Sequence, residues 1–350
     1  MRRRVGATGV LFALLALSAT ADAQGAPSGW IATSIDTMKE SMDHASDPTS
    51  QAQIDQHVGQ LAALNPTHIT VDTPMDQPDR YTMWVDSIRA HGRKVWHRPM
   101  PWGYPSPPAM TDPSVTPAMY LDRLRQFILE HPGVFQPGDI LDGDSEADAN
   151  AYWRRFPAED WWNWSNPPYA PTYSQACEEF NGYLVDLKRV ADDALAQRGI
   201  TGVETGIRSL NPWWATANCL QDETIATLGG YLTIDAADDA GRPGGTDPAV
   251  LSAEWDERLE RWHGHRPNAT IIFGEYGYPN DMLVDDATQA QVLTAVLGVI
   301  ASKSYVKGVN YWAGAGGPGW GGYTNILTGT FGVWSPRPAA LELARFYGSA

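Results

Sequence analysis

The stretch TIIFGEYGYP, residues 270–279, is a short apolar run that ends on a carboxylate between two glycines. Apolar runs of this length, bounded by Gly and Pro, predict a buried β-strand. Gly274 and Gly277 leave room for a ligand or another backbone segment to approach Glu275 closely. A carboxylate at the tip of an apolar strand is partly removed from water, which raises its pKa. The pattern predicts a strand that delivers one reactive carboxylate, with a structural ion pair as the alternative.

Seven other apolar runs alternate with segments of helical periodicity. The eight predicted strands are Trp30–Ile35, His68–Val71, Lys94–Trp96, Asp139–Leu141, Gly202–Ile207, Tyr231–Ile234, Thr270–Phe273 and Val306–Tyr311. The predicted helices are Gln53–Leu64, Tyr81–Ala90, Met119–Leu129, Cys177–Ala196, Thr224–Leu228, Ala249–Trp262, Thr288–Ala301 and Ala339–Phe346. Strict β–α alternation implies parallel strands, and eight such units close into a single-domain α/β protein of the (β/α)8 TIM barrel type. An open doubly wound sheet is the alternative, but Ser34–Met38 is not the Gly-rich phosphate loop typical of that fold.

The N-terminus carries a predicted secretory signal. Arg2–Arg4 form a positive region, Val10–Leu17 are mainly apolar, and Ala21–Ala23 are a small-residue cleavage site. We expect residues 1–23 to be a signal peptide, residues 24–350 to be one barrel catalytic domain, and the mature protein to be secreted or periplasmic. A retained membrane anchor is the alternative, but the apolar stretch is shorter than the roughly 18 residues that a spanning helix needs.

Charge and composition narrow the classes of ligand. A formal net charge of −16 disfavours nucleic acid and anionic membranes as partners and suits a neutral ligand. The 15 Trp and 14 Tyr suit core packing and also stacking on the apolar faces of ligands. The sequence has no phosphate loop and no Gly-x-Ser-x-Gly elbow. His263 and His265 follow a predicted helix, which places them at the barrel face opposite the expected site. We expect no cofactor, no metal and a monomer.

Polar side chains follow most of the predicted strands, at the end where a barrel collects its active-site residues. They are Asp36, Asp72, His97, Arg98, Asp144, Glu146, Arg208, Asp235, Asp238, Glu275 and Trp312. Asp142, Asp144 and Glu146 share strand parity, and mutual repulsion raises at least one pKa in such a group. Two carboxyl groups with separated pKa values are what hydrolysis of a glycosidic bond requires. We predict Glu275 as nucleophile and Glu146 as acid/base. Asp144 is the alternative acid, and Ca²⁺ binding is an alternative use of the acidic run.

Two predicted strand-to-helix connections, residues 146–173 and 313–335, are long and rich in aromatic residues. Both lie at the C-terminal face of the predicted barrel, and long loops there are usually functional. Trp102, Trp162, Trp164 and Trp320 are therefore candidates for stacking on sugar rings. The two cysteines, Cys177 and Cys219, fall near the same face, where export permits a disulfide; two free buried thiols are the alternative.

Three segments resemble clan A glycoside hydrolases, which are barrels with catalytic Glu residues after strands four and seven. FGEYGYP, residues 273–279, resembles the nucleophile strand of several of those families. VNYW, residues 309–312, resembles their eighth strand, whose terminal Trp forms the floor under the cleaved sugar. FGVWSPRPA, residues 331–339, resembles the segment before their last helix. The resemblance covers the mature chain as architecture and is motif-specific over the last third.

The sequence departs from those families at two positions. Ser145 stands where they usually place an Asn that holds the sugar 2-hydroxyl, so Asn150 is a candidate for that role. Asp235 stands where a His or Tyr usually ends the sixth strand. The full predicted substrate-binding set is Trp312, Asp36, Arg98, His97, Asn150, Arg208, Asp235, Tyr278, Trp102, Trp162, Trp164 and Trp320. For His97 and Arg98, pairing with nearby acids is the alternative.

The expected function is hydrolysis of a neutral β-linked poly- or oligosaccharide by a secreted, retaining glycoside hydrolase. The mechanism would be a double displacement, for which the two carboxyl groups should lie about 5–5.5 Å apart, whereas roughly 6.5–9.5 Å indicates inversion. A non-catalytic carbohydrate-binding barrel is the first alternative, motivated by Ser145. Transglycosylation by the same two residues is the second.

Overall fold

The computed structural model describes residues 25–42, 45, 47–101, 115–148, 174–238, 241, 243–279, 284–315, 324–330 and 333–348. The predicted signal peptide, residues 1–23, lies outside this set. So do the predicted ligand-binding residues Asn150, Trp102, Trp162, Trp164 and Trp320. In the part of the chain that is described, no helix is long and apolar enough to cross a membrane.

Strands and helices alternate along the described chain. The strands are β1 (Ala32–Asp36), β2 (His68–Val71), β3 (Lys94–His97), β4 (Ile140–Leu141), β5 (Ser209–Leu210), β6 (Tyr231–Ala237), β7 (Thr270–Gly277), β8 (Val306–Tyr311), β9 (Leu327–Thr330) and β10 (Val333–Pro336). The helices are α1 (Met38–Ser41), α2 (Gln51–Ala62), α3 (Pro78–Ala90), α4 (Pro117–Glu130), α5 (Ser174–Gln197), α6 (Asp222–Thr227), α7 (Pro248–His265), α8 (Asp286–Ser302) and α9 (Pro338–Gly348).

The first eight strands form one parallel sheet in the order β4-β3-β2-β1-β8-β7-β6-β5. Its two outer edges meet through a parallel bridge between Ile140 and Glu204. The Leu141 amide donates to the Glu204 carbonyl at 2.8 Å, and the Glu204 amide donates to the Asp139 carbonyl at 2.8 Å. The sheet therefore closes, and the predicted (β/α)8 TIM barrel is confirmed.

The fifth strand is shorter and later than predicted. The sequence pattern favours a strand over residues 202–207, whereas the regular ladder covers Ser209–Leu210. Gly202 has a φ of +77°, which an extended strand does not use. At Gly206 an added Cβ would lie 2.0 Å from the Leu228 carbonyl oxygen. Close packing against the next connection therefore bends this segment, leaving the single bridge at Glu204.

Inward-facing side chains change character along the barrel axis, because alternate strand residues point to the same side. The deepest layer is apolar and consists of Ala32, Trp96, Ile140, Ile207 and Ile272. Above it, Ser34 Oγ lies 2.8 Å from Thr70 Oγ1, and Thr70 Oγ1 donates to Asn310 Oδ1 at 2.9 Å. The next inward position on β1 is Asp36. The interior is thus packed below, and the charged groups lie at the C-terminal mouth.

A disulfide joins Cys177 of α5 to Cys219, which confirms the predicted pairing. Asn181 strengthens the link, because its Nδ2 donates to the carbonyls of Cys177 at 2.7 Å and Cys219 at 2.6 Å. The two cysteines are 42 residues apart. In the chain-entropy treatment, closing such a loop stabilises the fold by about 4 kcal/mol. The disulfide fixes the start of α5 against the connection that follows β5.

Candidate active site

Arg98, directly after β3, is buried among the strand ends at the barrel mouth. Its guanidinium donates to Glu275 Oε1 at 2.6 Å, Asp36 Oδ2 at 3.1 Å and Asp235 Oδ2 at 3.4 Å. Its Nε also lies 3.7 Å from Asp72 Oδ1. Burial alone would lower the pKa of Arg98, but the surrounding carboxylates raise it well above its ordinary value. One cation therefore joins acids from four strand ends.

Glu275 owes its position to a local irregularity in β7. The ladder pairs Ile234 with Phe273 and then Asp235 with Glu275, so Gly274 is an extra residue on this strand. Such a bulge re-aims the following side chain. A Cβ at Gly274 would lie 2.1 Å from Ser209 Oγ and 2.3 Å from Asp235 Oδ1. Only Gly leaves that space free.

The Glu275 side chain is 13% exposed, so part of the carboxylate faces the open mouth while Oε1 binds Arg98. Burial raises the pKa of Glu275, Arg98 opposes this rise, and the charges of Glu146 and Asp36 add to it. The guanidinium contact favours the ionised form of Glu275 relative to burial alone, and the net result is a pKa raised to about 8.

Glu146 follows β4 and is also partly exposed. Its φ is +50°, and its amide donates to the Ser209 carbonyl at 2.9 Å, which ties this turn to β5. Non-Gly residues in this region of φ are strained and cluster at functional sites. Burial raises the pKa of Glu146, and the charge of Asp148 adds to the rise, whereas Arg98 lowers it. Arg98 acts on both carboxyl groups and the charge of Glu146 acts on Glu275, so Glu146 and Glu275 belong to one electrostatic site.

The other acids of the Glu146 turn bind protein groups. Asp142 Oδ2 accepts from the Ser209 amide at 3.0 Å. Asp144 is fully buried, and its Oδ2 accepts from the Tyr183 hydroxyl of α5 at 2.8 Å. Burial raises the pKa of Asp144 well above its ordinary value. These contacts direct the two carboxylates towards β5 and α5.

Asp148 is also buried, and its Oδ2 accepts from Asn211 Nδ2 at 3.0 Å and Trp214 Nε1 at 2.7 Å. Burial raises the pKa of Asp148 to about 6. The sequence does not single out Asn211, which follows β5 directly. The Asp148 carboxylate thus holds the end of the acidic turn against the next connection.

Three predicted ligand-binding residues are buried and hydrogen-bonded to protein groups, which favours a structural role for them. His97 Nδ1 lies 2.9 Å from Tyr81 Oη and its Nε2 lies 3.2 Å from Asp139 Oδ2, so both ring nitrogens are occupied outside the barrel. Arg208 donates to the carbonyls of Leu141 at 2.6 Å and Ile207 at 2.7 Å and is buried. The third residue, the buried Tyr278, donates its hydroxyl to the Gly245 carbonyl at 2.6 Å.

Trp312 and Asn310 complete the site on the β8 side. Trp312 follows β8 and is partly exposed, and its Nε1 donates to Met38 Sδ at 3.0 Å. Asn310 is fully buried, and its Nδ2 donates to Asp36 Oδ2 at 2.9 Å and to the Gly274 carbonyl at 2.8 Å. The sequence pattern does not single out Asn310, although this residue precedes Trp312 by two positions and so shares its inward direction. Asn310 links the bulge beside Glu275 to Asp36.

The strand-end carboxylates fall into two groups by exposure. Glu146 and Glu275 are partly exposed, whereas the buried members are Asp36, Asp72, Asp142, Asp144, Asp148 and Asp235. Among the residues that the structure describes, no group of three or more His, Cys, Asp or Glu side chains is arranged to hold a metal ion. The described residues thus provide two partly exposed carboxyl groups, those of Glu146 and Glu275, among buried acids, and Arg98 lies beside Glu275.

No protein-family model matches this sequence, and no curated protein matches it with significant similarity. Solved structures do match the fold. A variant of Streptomyces cattleya GH5_18 in complex with Manβ1-4GlcNAc is 14% identical with a TM-score of 0.63, over 90% of this chain and 79% of that one. A variant of Bifidobacterium longum subsp. longum GH5_18, in complex with the same disaccharide, is 12% identical with a TM-score of 0.65, over 90% and 77%.

The β-glucuronidase of Ruminococcus gnavus also matches, at 12% identity and a TM-score of 0.60. That match covers 91% of this chain but 50% of the β-glucuronidase, so this chain spans about half its length. Identities this low show the fold that the proteins share. The chain is thus a TIM barrel of the architecture found in the GH5_18 proteins and the β-glucuronidase.

Proposed function

We propose that this protein is a retaining glycoside hydrolase with Glu275 as nucleophile and Glu146 as acid/base. One observation carries the proposal. The two partly exposed carboxyl groups at the barrel mouth lie after β4 and near the end of β7, and they differ in their contact with Arg98. The direct guanidinium contact, and not the order of the two raised pKa values (about 8 for Glu275 and about 7 for Glu146), assigns the ionised role to Glu275, because the nucleophile has to be ionised and the acid has to hold a proton.

The chemistry follows from these two states. A Glu275 oxygen attacks the anomeric carbon as the bond to the leaving oxygen breaks, and Glu146 gives its proton to that oxygen. Water then attacks the glycosyl-enzyme, Glu146 takes a proton from the water, and the Glu275 carboxylate leaves. Two inversions return the anomeric carbon to its starting configuration. Trp312, partly exposed at the end of β8, would pack against a sugar ring in the mouth.

A neutral, β-linked glycan is the substrate class that we propose. The mouth carries many acids, which would repel an anionic sugar. Arg98 is already paired with Asp36, Asp235 and Glu275 and so is poorly placed to bind such a sugar. The solved GH5_18 structures hold Manβ1-4GlcNAc, which is a neutral disaccharide. The sequence features of residues 1–23 support export of the mature chain.

The test is a screen of neutral β-linked polysaccharides and aryl β-glycosides for release of reducing ends or phenol. With an active substrate in hand, proton NMR of the first product should show a retained β configuration. An initial α product would overturn the double displacement. Unchanged turnover in both the Glu275→Gln and the Glu146→Gln variants would contradict the assignment of these two residues as catalytic.

The same NMR experiment, run with added acceptor sugars, separates hydrolysis from transglycosylation. If no substrate is cleaved but glycans bind, a non-catalytic carbohydrate-binding barrel replaces the proposal. Binding can be measured by quenching of the intrinsic tryptophan fluorescence.

A further inference from the structure

Asp72 and Asp36 are neighbouring buried acids with opposite surroundings. Asp36 accepts from three donors: the Met38 amide at 2.5 Å, Asn310 Nδ2 at 2.9 Å and Arg98 at 3.1 Å. That is the environment of an ionised carboxylate. Asp72 is fully buried after β2, and among the residues that the structure describes neither of its oxygens has a hydrogen-bond donor. Arg98 Nε lies 3.7 Å from Asp72 Oδ1, beyond hydrogen-bond distance.

A proton on Asp72 accounts for the absence of hydrogen-bond donors to its carboxyl group among the described residues. Asp36 Oδ2 and Asp72 Oδ1 lie 3.1 Å and 3.7 Å from the same guanidinium group, that of Arg98, so the two carboxyl groups are neighbours. Two ionised carboxylates in contact offer only acceptors, whereas a protonated Asp72 offers the donor that the pair lacks. Leaving a charged carboxylate buried with no hydrogen bond would cost far more than protonating it.

We propose that Asp72 is a neutral carboxylic acid that donates its proton to Asp36 and thereby holds Arg98 against Glu275. Asp72 is then a positioning residue, since it acts on the nucleophile through Asp36 and Arg98. The proposal deepens the glycosidase assignment and rests on it for its effect on activity. The location of the proton itself can be tested without a substrate.

The charges that face Asp72 come from four elements. They are Asp36 of β1, Arg98 after β3, Glu275 of β7 and the hydroxyl of Tyr81 in α3. Burial raises the pKa of Asp72 well above its ordinary value, and Asp36 adds to the rise while Arg98 opposes it. An ionised Asp72 would compete with Glu275 for the charge of Arg98. With Asp72 neutral, Arg98 can favour the ionised form of the nucleophile.

The first test compares Asp72→Asn with Asp36→Asn, the same chemical change at two adjacent acids. Asp72→Asn keeps a neutral donor, so kcat/KM should stay within about 3-fold of the original protein. Asp36→Asn removes an ionised partner of Arg98 and should lower kcat/KM by roughly 10-fold or more. Asp72→Ala has no donor and should also lose roughly 10-fold, so the Asn variant acts as its rescue. Equal losses in the two Asn variants would overturn the proposal.

The second test measures Tm against pH without any substrate. An acid whose pKa is raised in the folded state binds more protons there than in the unfolded chain. Its contribution to stability is therefore full below the unfolded pKa of about 4 and is lost as the pH rises towards the folded pKa. Asp72→Asn abolishes this loss, so its Tm relative to the original protein should rise from pH 4 to pH 8. A Tm difference that stays flat, or that falls as pH rises, shows an ionised Asp72 and overturns the proposal. If the Tm difference rises as expected but the original protein cleaves no glycoside, the Asp72 proposal stands and the proposed function is wrong.

Discussion

The two halves of the barrel mouth use their arginines in opposite ways. On the β1–β3 and β7 side, Arg98 points inward and binds Glu275 directly at 2.6 Å. On the β4–β5 side, Arg208 donates instead to the carbonyls of Leu141 and Ile207. Burial raises the pKa of both carboxyl groups, to about 7 for Glu146 and about 8 for Glu275, and Arg98 opposes the rise in each. The direction of one arginine on each side gives the two carboxyl groups different partners, and the proposed division into acid and nucleophile rests on that difference.

The largest expected effect is on the side that holds Arg98. Glu275→Gln removes the proposed nucleophile, so the rate should fall beyond the roughly 10²–10⁴-fold that loss of proton transfer costs. Steady-state rates on an aryl β-glycoside measure the loss. Azide added to a Glu275→Ala variant should restore turnover and give an α-glycosyl azide. A β-azide product would contradict the role of Glu275 as the nucleophile.

Glu146→Gln should reduce the rate by roughly 10²–10⁴-fold on substrates with poor leaving groups. The loss should be much smaller for formation of the glycosyl-enzyme from a dinitrophenyl glycoside, because that leaving group departs without a proton. Pre-steady-state release of dinitrophenol measures this step. In a Glu146→Ala variant, azide should give a β-glycosyl azide. Equal losses on both leaving groups would contradict the acid/base role.

Arg98→Met tests the electrostatic difference between the two halves. Without the guanidinium, the pKa of Glu275 should rise, by on the order of 1–3 units for loss of an opposite charge at this distance. Activity needs ionised Glu275, so the acidic limb of kcat/KM should move to higher pH. Arg208→Met is the matched control: it should lower Tm through its lost carbonyl contacts and leave the acidic limb in place. If the acidic limb of kcat/KM moved equally in Arg98→Met and Arg208→Met, the two arginines would not differ in their effect on Glu275.

Much of this site can be predicted from the sequence, because apolar strands followed by charged residues report strand order and strand ends. The barrel, the position of Glu275 after a Gly-flanked run and the disulfide follow from that pattern. The direction of adjacent side chains does not. His97 and Arg98 are consecutive, and only the register of β3, with Trp96 facing inward, decides that Arg98 enters the mouth.

Register also explains the other differences. Asn310 has no charge to draw attention, yet it binds Asp36 and the Gly274 carbonyl, two contacts that join β8 to β1 and β7. The bulge at Gly274 shifts the parity of β7, so a strict alternation from Ile272 would send Glu275 outward. Such features depend on which backbone lies alongside, and a single sequence pattern does not contain that information.

The smallest expected effect distinguishes Asp144 from Glu146, two residues apart on the same turn. Both acids have a raised pKa, so titration alone does not separate them. Their surroundings do, because Asp144 is fully buried and accepts from Tyr183, whereas Glu146 is partly exposed. Asp144→Asn should therefore change kcat/KM by less than about 3-fold. The change should be the same for good and poor leaving groups, because a buried hydrogen bond contributes on the order of 1 kcal/mol to stability and takes no part in proton transfer. A leaving-group dependence in Asp144→Asn, with none in Glu146→Gln, would transfer the acid role to Asp144 and require the turn to rearrange when substrate binds.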